Sequence, residues 1–217
     1  MYRLSQSSLG TFQNCPKCFW MEKNKSNPRP FGIKSSLPTA IDGLLKTMFD
    51  THRPNLPPAL EGKLEGHLLE DKKTIQKLRN WRSCYTVSIG ENLLIGAFDD
   101  VLVTREGHES LDYKSKGTAP DEGYTEKYYQ KQADLLTLML KENGVPVSGY
   151  ATFAYFYAVP TEGSITFDTK IVRIKADIEA GKELFKKAVR CLNGPEPQSS
   201  TQCEYCLFIE NRGKVAA

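Results

Sequence analysis

The sequence has no large excess of charge of either sign and no long hydrophobic run. Its 29 basic and 26 acidic side chains leave a net charge of only +3. This balance excludes a disordered acidic chain and a strongly basic tail, so any nucleic-acid surface must be local. The most apolar stretch, Tyr150 to Val159, is half the length of a membrane span. Because the first residues also lack a signal-peptide apolar core, we expect a cytoplasmic protein with no membrane partner.

Internal repeats and low-complexity tracts are also missing, and six cysteines are few for a disulfide scaffold of 217 residues. Hydrophobic residues make up 40% of the chain, which is enough for a substantial core. The proline-rich segments are expected to be loops. We therefore predict a single domain that covers residues 1–217.

Four of the six cysteines form two Cys-x-x-Cys pairs, Cys15 with Cys18 and Cys203 with Cys206. A two-residue spacing lets both thiolates of a pair face one ion. Four such ligands make either a tetrahedral zinc site or a four-cysteine iron–sulfur cluster, and spacing alone does not separate them. Two redox motifs are the alternative, but a thioredoxin-like protein has one such pair after a strand. The sequence therefore predicts a shared metal site that closes the domain end to end.

Hydrophobic periodicity predicts helices, a three-stranded meander, a crossover helix, two further strands and a closing helix. The helices are predicted at Ser5–Cys15, Pro38–Thr51, Leu60–Trp81 and about Thr125–Asn143, with the last one starting at Asp177. The strands are predicted at Tyr85–Ile89, Leu93–Thr104, Glu109–Ser115, Val147–Val159 and Ser164–Ile174. This order indicates an α/β fold with a mixed β-sheet and flanking helices.

Two acids and a lysine are predicted to share one face of the second hairpin. If residues 105–108 form a four-residue turn, alternation places Asp99, Asp112 and Lys114 on one face and Asp100 on the other. Two carboxylates on one face repel each other unless a hard divalent cation such as Mg²⁺ compensates them. Such a cation would activate a water, and Lys114 would place positive charge beside a phosphate, which is the chemistry of phosphodiester hydrolysis. A solvated face with inert acids is the alternative.

The motifs Gly96-x-x-Asp99 and Asp112-Tyr113-Lys114-Ser115 resemble the core of the PD-(D/E)xK nuclease superfamily. They are most similar to its RecB-like branch, which includes the CRISPR-adaptation exonucleases and the AddB nuclease domain. The resemblance implies a restriction-endonuclease-like core and a DNA nuclease dependent on Mg²⁺ or Mn²⁺, either an exonuclease or a DNA-end processing enzyme. As partners it implies DNA, as single strands or duplex ends, and a DNA-repair, recombination or CRISPR-type complex.

The resemblance also implies roles for individual residues. Asp99 and Asp112 would bind the metal, and Lys114 would assist the attacking water. Gln132 takes the place of a glutamine motif whose tyrosine this chain lacks, and would orient the lysine or the DNA. Asp42 is the best-placed candidate for a further metal ligand on a helix before the hairpin. An ordinary acid favoured by the helix dipole is the alternative at Asp42.

For the cysteines, the resemblance implies a [4Fe–4S] cluster held by one N-terminal and three C-terminal cysteines. This chain has no cysteine after Cys206, so Cys18 would have to be the fourth ligand. Zinc therefore stays open as the alternative metal.

Basic and aromatic residues alternate just after the lysine strand, a combination that suits single strands or frayed ends. The candidate nucleic-acid-binding residues are Lys116, Lys127, Lys131 and Tyr128. An ordinary solvated helix start is the alternative, and Arg79, Trp81 and Arg82 form a second, weaker patch. A non-catalytic nucleic-acid-binding or assembly module, with a purely structural four-cysteine metal site, is the alternative function for the whole chain.

Overall fold

A computed structural model describes residues 1–30, 32 and 35–215. The fold is α/β, with mixed sheets and flanking helices. Backbone contacts divide the chain into two compact units. One contains Met1–Ile33, Ser88–Leu94 and Lys182–Ala217, and the other contains Lys34–Val87 and Ile95–Gly181. Within the described residues, no helix combines the length and the apolar character needed to cross a membrane.

The described chain forms seven helices and eight strands. The helices are α1 Gln6–Asn14, α2 Pro16–Lys25, α3 Ser36–His52, α4 Lys72–Arg79, α5 Tyr124–Glu142, α6 Ile178–Asn193 and α7 Glu204–Val215. The strands are β1 Arg3–Ser5, β2 His67–Leu68, β3 Thr86–Ile89, β4 Asn92–Ile95, β5 Asp100–Thr104, β6 Gly107–Lys116, β7 Val147–Thr161 and β8 Ser164–Lys175. A small sheet has the order β1-β4-β3, and a larger one the order β2-β5-β6-β7-β8.

The larger sheet is mixed because only its central pair, β6 and β7, is parallel. A parallel pair needs a crossover connection, and α5 supplies it. Side chains alternate along β6 and β7, so each face of the sheet has its own apolar cluster. One contains Phe49 from α3 with Tyr113 and Phe156, and the other contains Ala133 from α5 with Phe153. Burial of each large side chain in these clusters contributes about 1.5–3 kcal/mol.

The long helix predicted over Leu60–Trp81 is wrong. The segment contains a short 3-10 turn at Pro58–Leu60, strand β2 and the shorter helix α4. Gly66 explains the break, because its φ of +112° is outside the helical range and a Cβ there would lie 2.5 Å from the carbonyl oxygen of Val103. Strand β2 therefore approaches β5 where a helix was expected.

The predicted strand Leu93–Thr104 is also wrong, since β4 and β5 belong to different sheets and residues 96–99 connect them. The predicted four-residue turn is shorter too. Thr104 pairs with Gly107, so only Arg105 and Glu106 form the turn. The preferred two-residue turns use glycine or asparagine, which this pair lacks; Gly107 instead has the positive φ, +135°.

Candidate functional site

Asp99 directly precedes β5, and it is close enough to Asp112 on β6 for its negative charge to raise the pKa of that carboxyl. Asp100 pairs with Leu111, which is a register two residues away from the predicted one. An even shift leaves every side chain on its predicted face, so the error does not separate the acids. The Tyr113 amide donates a hydrogen bond of 3.2 Å to Oδ2 of Asp99, which holds this carboxylate against the backbone of β6.

Asp112, Lys114 and Gln132 contact one another. The Lys114 ammonium forms an ion pair with Oδ2 of Asp112, and the Gln132 amide donates to Oδ1 of the same carboxylate. Oε1 of Gln132 accepts a hydrogen bond of 3.3 Å from Lys114. The lysine Nζ also lies 4.6 Å from the centre of the Tyr129 ring. Gln132 therefore fixes both the acid and the lysine from helix α5.

Burial dominates the electrostatics of Asp112. The side chain is 6% exposed, and desolvation raises the pKa of its carboxyl to about 7. The negative charge of Asp99 also raises this pKa, while the ion pair with Lys114 and the hydrogen bond from Gln132 lower it without cancelling the effect of burial. The carboxylate form of Asp112 therefore lacks some of the positive charge that would stabilise it.

Lys46 is a site residue that the sequence analysis missed. It lies on α3, 2.9 Å from Oδ1 of Asp99 and 2.8 Å from Oδ2 of Asp42. Asp42, the candidate further ligand, is therefore connected to Asp99 through this lysine. The Asp42–Lys46 spacing of four residues on one helix was a signal in the sequence, but the contact with Asp99 was not.

A buried ion network lies on the opposite face of the hairpin. The carboxylate of Asp100 is fully buried and accepts hydrogen bonds from Arg53, Arg79 and the Tyr113 hydroxyl. Arg79 also donates from Nε to the backbone oxygen of Asp99, at 2.7 Å. Arg79, which the sequence places in a second, weaker candidate nucleic-acid patch, thus also holds the backbone that carries Asp99.

The predicted nucleic-acid-binding residues surround the start of α5. The Lys116 Nζ lies 4.8 Å from the centre of the Tyr124 ring, and the Lys127 Nζ lies 5.2 Å from that of Tyr128. The two rings are 4.7 Å apart, and Tyr128 is 56% exposed. Lys131 is exposed on the same helix. We call Lys116, Tyr124, Lys127 and Tyr128 the α5 patch.

The four cysteines of the two pairs meet in the unit that contains both termini. The ligand atoms of Cys15, Cys18, Cys203 and Cys206 all lie within 4.8 Å of one another, so these residues could bind a metal ion. Among the residues that the structure describes, this is the one set of three or more potential ligands gathered so closely. The carboxylates of Asp42, Asp99 and Asp112 do not form such a set.

No protein-family model and no curated protein matches the sequence. Among solved structures, one described as "Crystal structure of SSO0001" is similar over 96% of this chain and 84% of that chain. The sequence identity is 14% and the TM-score is 0.41. The functional assignment therefore depends on the side chains of this chain.

Proposed function

We propose that this protein is a metal-dependent DNA nuclease with a restriction-endonuclease-like core, acting as an exonuclease or in DNA-end processing. The observation that carries the proposal is the cluster formed by Asp112 and Lys114 of β6 with Gln132 of α5, with Asp99 close enough for its charge to act on Asp112. Two carboxylates can hold a divalent cation and a nearby lysine can stabilise charge on a phosphate, which together suit phosphodiester hydrolysis. Their order along the chain, acid, acid and lysine, then helix α5, agrees with the resemblance drawn from the sequence.

The donor set suits Mg²⁺ or Mn²⁺. These hard cations take oxygen ligands, and Mg²⁺ is typically bound through one or two carboxylates together with waters and substrate phosphates. Asp99 and Asp112 supply two carboxylates, and Asp112 is buried beside Lys114, where an added cation would further stabilise its charged form. Asp42 would influence Asp99 through Lys46, which contacts both carboxylates. When bound, the cation would supply a Lewis acid and a water of lowered pKa.

The remaining residues position the substrate and its charge. Lys114, fixed by Asp112 and Gln132, presents a cation where negative charge develops on the phosphate. The α5 patch supplies rings for stacked bases and ammonium groups for the phosphate backbone, a combination that favours a single strand. Buried Asp100 and its arginines keep the hairpin rigid, so the acids need little reorganisation.

End-labelled DNA tests the proposal. Purified protein is incubated with single-stranded and duplex substrates, with Mg²⁺, with Mn²⁺ and with no added metal. We expect shortening from labelled ends only when a divalent metal is added, and faster on single strands. Cleavage that needs no added metal would contradict the proposal. Binding without cleavage in every metal would instead identify the non-catalytic binding module.

A further inference from the structure

The sulfur atoms of the four cysteines have the spacing of a site for one ion. The Cys15 sulfur lies 3.6 Å from that of Cys206, and the Cys18 sulfur lies 3.6 Å from that of Cys203 and 3.9 Å from that of Cys206. A tetrahedron whose corners lie about 2.3 Å from its centre, the usual zinc–sulfur bond length, has edges of about 3.8 Å. The cysteines therefore match a zinc tetrahedron.

This spacing does not fit the [4Fe–4S] cluster that the sequence resemblance implies. In such a cluster each cysteine binds a different iron, and the four thiolates point outward from separate corners of a cube. The sulfurs must then be further apart than the irons are. Three of the six sulfur–sulfur distances are 3.6–3.9 Å, and all six are at most 4.8 Å. This space suits one ion, so a cluster would require the cysteines to separate.

Each pair is presented by the start of a helix. Cys15 directly precedes α2, and its sulfur accepts a hydrogen bond of 3.5 Å from the Cys18 amide. Cys203 directly precedes α7, and Cys206 lies in the first turn of that helix. A helix N-terminus carries partial positive charge, which stabilises thiolates. The two helix starts therefore offset part of the negative charge of thiolates that are bound to a metal.

Charge and burial support a closed, structural site. Cys15, Cys203 and Cys206 are each at most 5% exposed, and Arg29 donates a hydrogen bond of 3.5 Å to the Cys203 sulfur. Four thiolates and one divalent ion leave two negative charges, which the guanidinium and the two helix ends partly compensate. Four protein ligands fill a tetrahedral shell and leave no open position for substrate.

We propose that Cys15, Cys18, Cys203 and Cys206 bind one structural zinc ion, which ties the N-terminal helices to α7. Sulfur contacts of 3.6 Å run between the two pairs, so the site needs both of them. The proposal does not depend on the nuclease assignment, because it involves none of the hairpin residues.

Metal analysis of the whole protein tests this proposal. The protein is produced in medium that contains both iron and zinc and is purified without oxygen. We expect a colourless preparation with one zinc per chain, no acid-labile sulfide, and an X-ray absorption spectrum with four sulfurs at about 2.3 Å from zinc. A brown preparation that contains iron and stoichiometric sulfide would overturn the proposal.

Variants separate this site from other thiols and from the hairpin. Cys18→Ser is expected to lose stoichiometric zinc, while Cys191→Ser, which removes a thiol outside the four-cysteine set, keeps one zinc per chain. If Cys18→Ser does not fold, the metal content of the wild-type protein still distinguishes a zinc ion from an iron–sulfur cluster. Asp99→Asn should also keep its zinc, so a failed nuclease assay and a failed zinc assignment give different results. Loss of zinc from Cys191→Ser would contradict the proposed ligand set.

Discussion

At the residue scale, Asp112 is a buried carboxyl group whose charged form is only partly stabilised by Lys114 and Gln132. Desolvation is the largest influence on it, and its pKa of about 7 contrasts with an ordinary aspartate value of 3.8. Between these two values the folded chain holds a proton that the unfolded chain has lost. By proton linkage, stability therefore falls as the pH rises from about 4 to about 7, by at most about 1.4 kcal/mol per pH unit.

Asp112→Asn is expected to remove this component of the pH dependence. The free energy of unfolding of the wild-type protein, minus that of the variant, should decrease as the pH rises from about 5 to about 7 and then level off. Urea unfolding without added divalent metal measures it. Asp168→Asn is the control: hydrogen bonds, first from the Thr169 amide, lower the pKa of Asp168 to about 2, so its difference from wild type stays constant over that range. Parallel wild-type and Asp112→Asn profiles would contradict the assignment.

Gln132 is expected to act by positioning Asp112 and Lys114. Gln132→Leu removes both hydrogen bonds, so we expect kcat to fall about 10- to 100-fold with little change in the Kd for DNA. The hydrogen bond from Gln132 lowers the pKa of Asp112, so its loss should raise that pKa. The acidic limb of the pH–rate profile should therefore also move to higher pH.

Gln130→Leu is the matched control for this prediction. Gln130 lies on the same helix, but its amide donates to Asp134 and to the backbone oxygen of Lys175, and not to Asp112 or Lys114. Steady-state kinetics of the two variants should therefore differ. Equal losses of kcat would show that Gln132 acts only through the stability of α5.

Sequence reasoning located residues whose chemistry depends on local spacing. Asp112 and Lys114 are two positions apart on one strand, so their shared face follows from alternation alone. Lys46 and Arg79 were not assigned to the site, because their partners are 53 and 20 positions away, at Asp99. No pattern in a single sequence marks such pairs, which the packing of α3 and α4 brings together.

At the element scale, the β5–β6 hairpin depends on the charges beneath it. Asp100 is fully buried with two arginines and a tyrosine hydroxyl, and one of those arginines also holds the Asp99 backbone. Breaking a buried pair leaves an uncompensated charge, which is far more costly than losing an exposed pair. The network therefore links the stability of the hairpin to the geometry of the acids.

Asp100→Asn is expected to destabilise the protein by about 3–5 kcal/mol, because Arg53 and Arg79 lose their buried countercharge. Asp50→Asn is the control, since Asp50 contacts the same two arginines but is 38% exposed. It should cost about 1 kcal/mol or less. Urea unfolding measures both values, and a similar loss in the two variants would contradict the importance given to the buried network.

The α5 patch makes a separate prediction about binding. Tyr128→Ala removes an exposed ring, and the loss of one stacked base should weaken single-stranded DNA binding about 5- to 150-fold in Kd. Fluorescence anisotropy in an Asp99→Asn background measures this without cleavage. Tyr150→Ala is the control. Tyr150 packs on Arg173 near the start of β7, whereas Lys116 of the patch pairs with Tyr157 near the end of that strand, so Kd is expected to stay unchanged. Equal effects of the two substitutions would contradict a binding role for the patch.

At the scale of the whole molecule, the α/β class and the mixed sheet followed from the order of helical and alternating periods. The proximity of the two cysteine pairs also followed, because their spacing predicts one shared metal site. The structure of Leu60–Trp81 did not follow from the sequence. Gly66 lets the chain approach the backbone of Val103 on β5, and its polar neighbours give no sign of this contact. The strand break at residues 96–99 was missed because the apolar run of β4 continues through Gly96, Ala97 and Phe98 with no polar residue to mark its end.

The central claim, that Asp99 and Asp112 support metal-dependent hydrolysis of DNA, is tested most directly by one set of rates. These are the initial rates of nucleotide release from single-stranded DNA at saturating Mn²⁺ for the wild-type protein, Asp99→Asn and Asp168→Asn. Asp168 starts the same acid-x-lysine spacing on β8 but lies outside the site. We expect a loss of about 1000-fold or more in Asp99→Asn and a wild-type rate in Asp168→Asn. A rate in Asp99→Asn within about tenfold of wild type would contradict it.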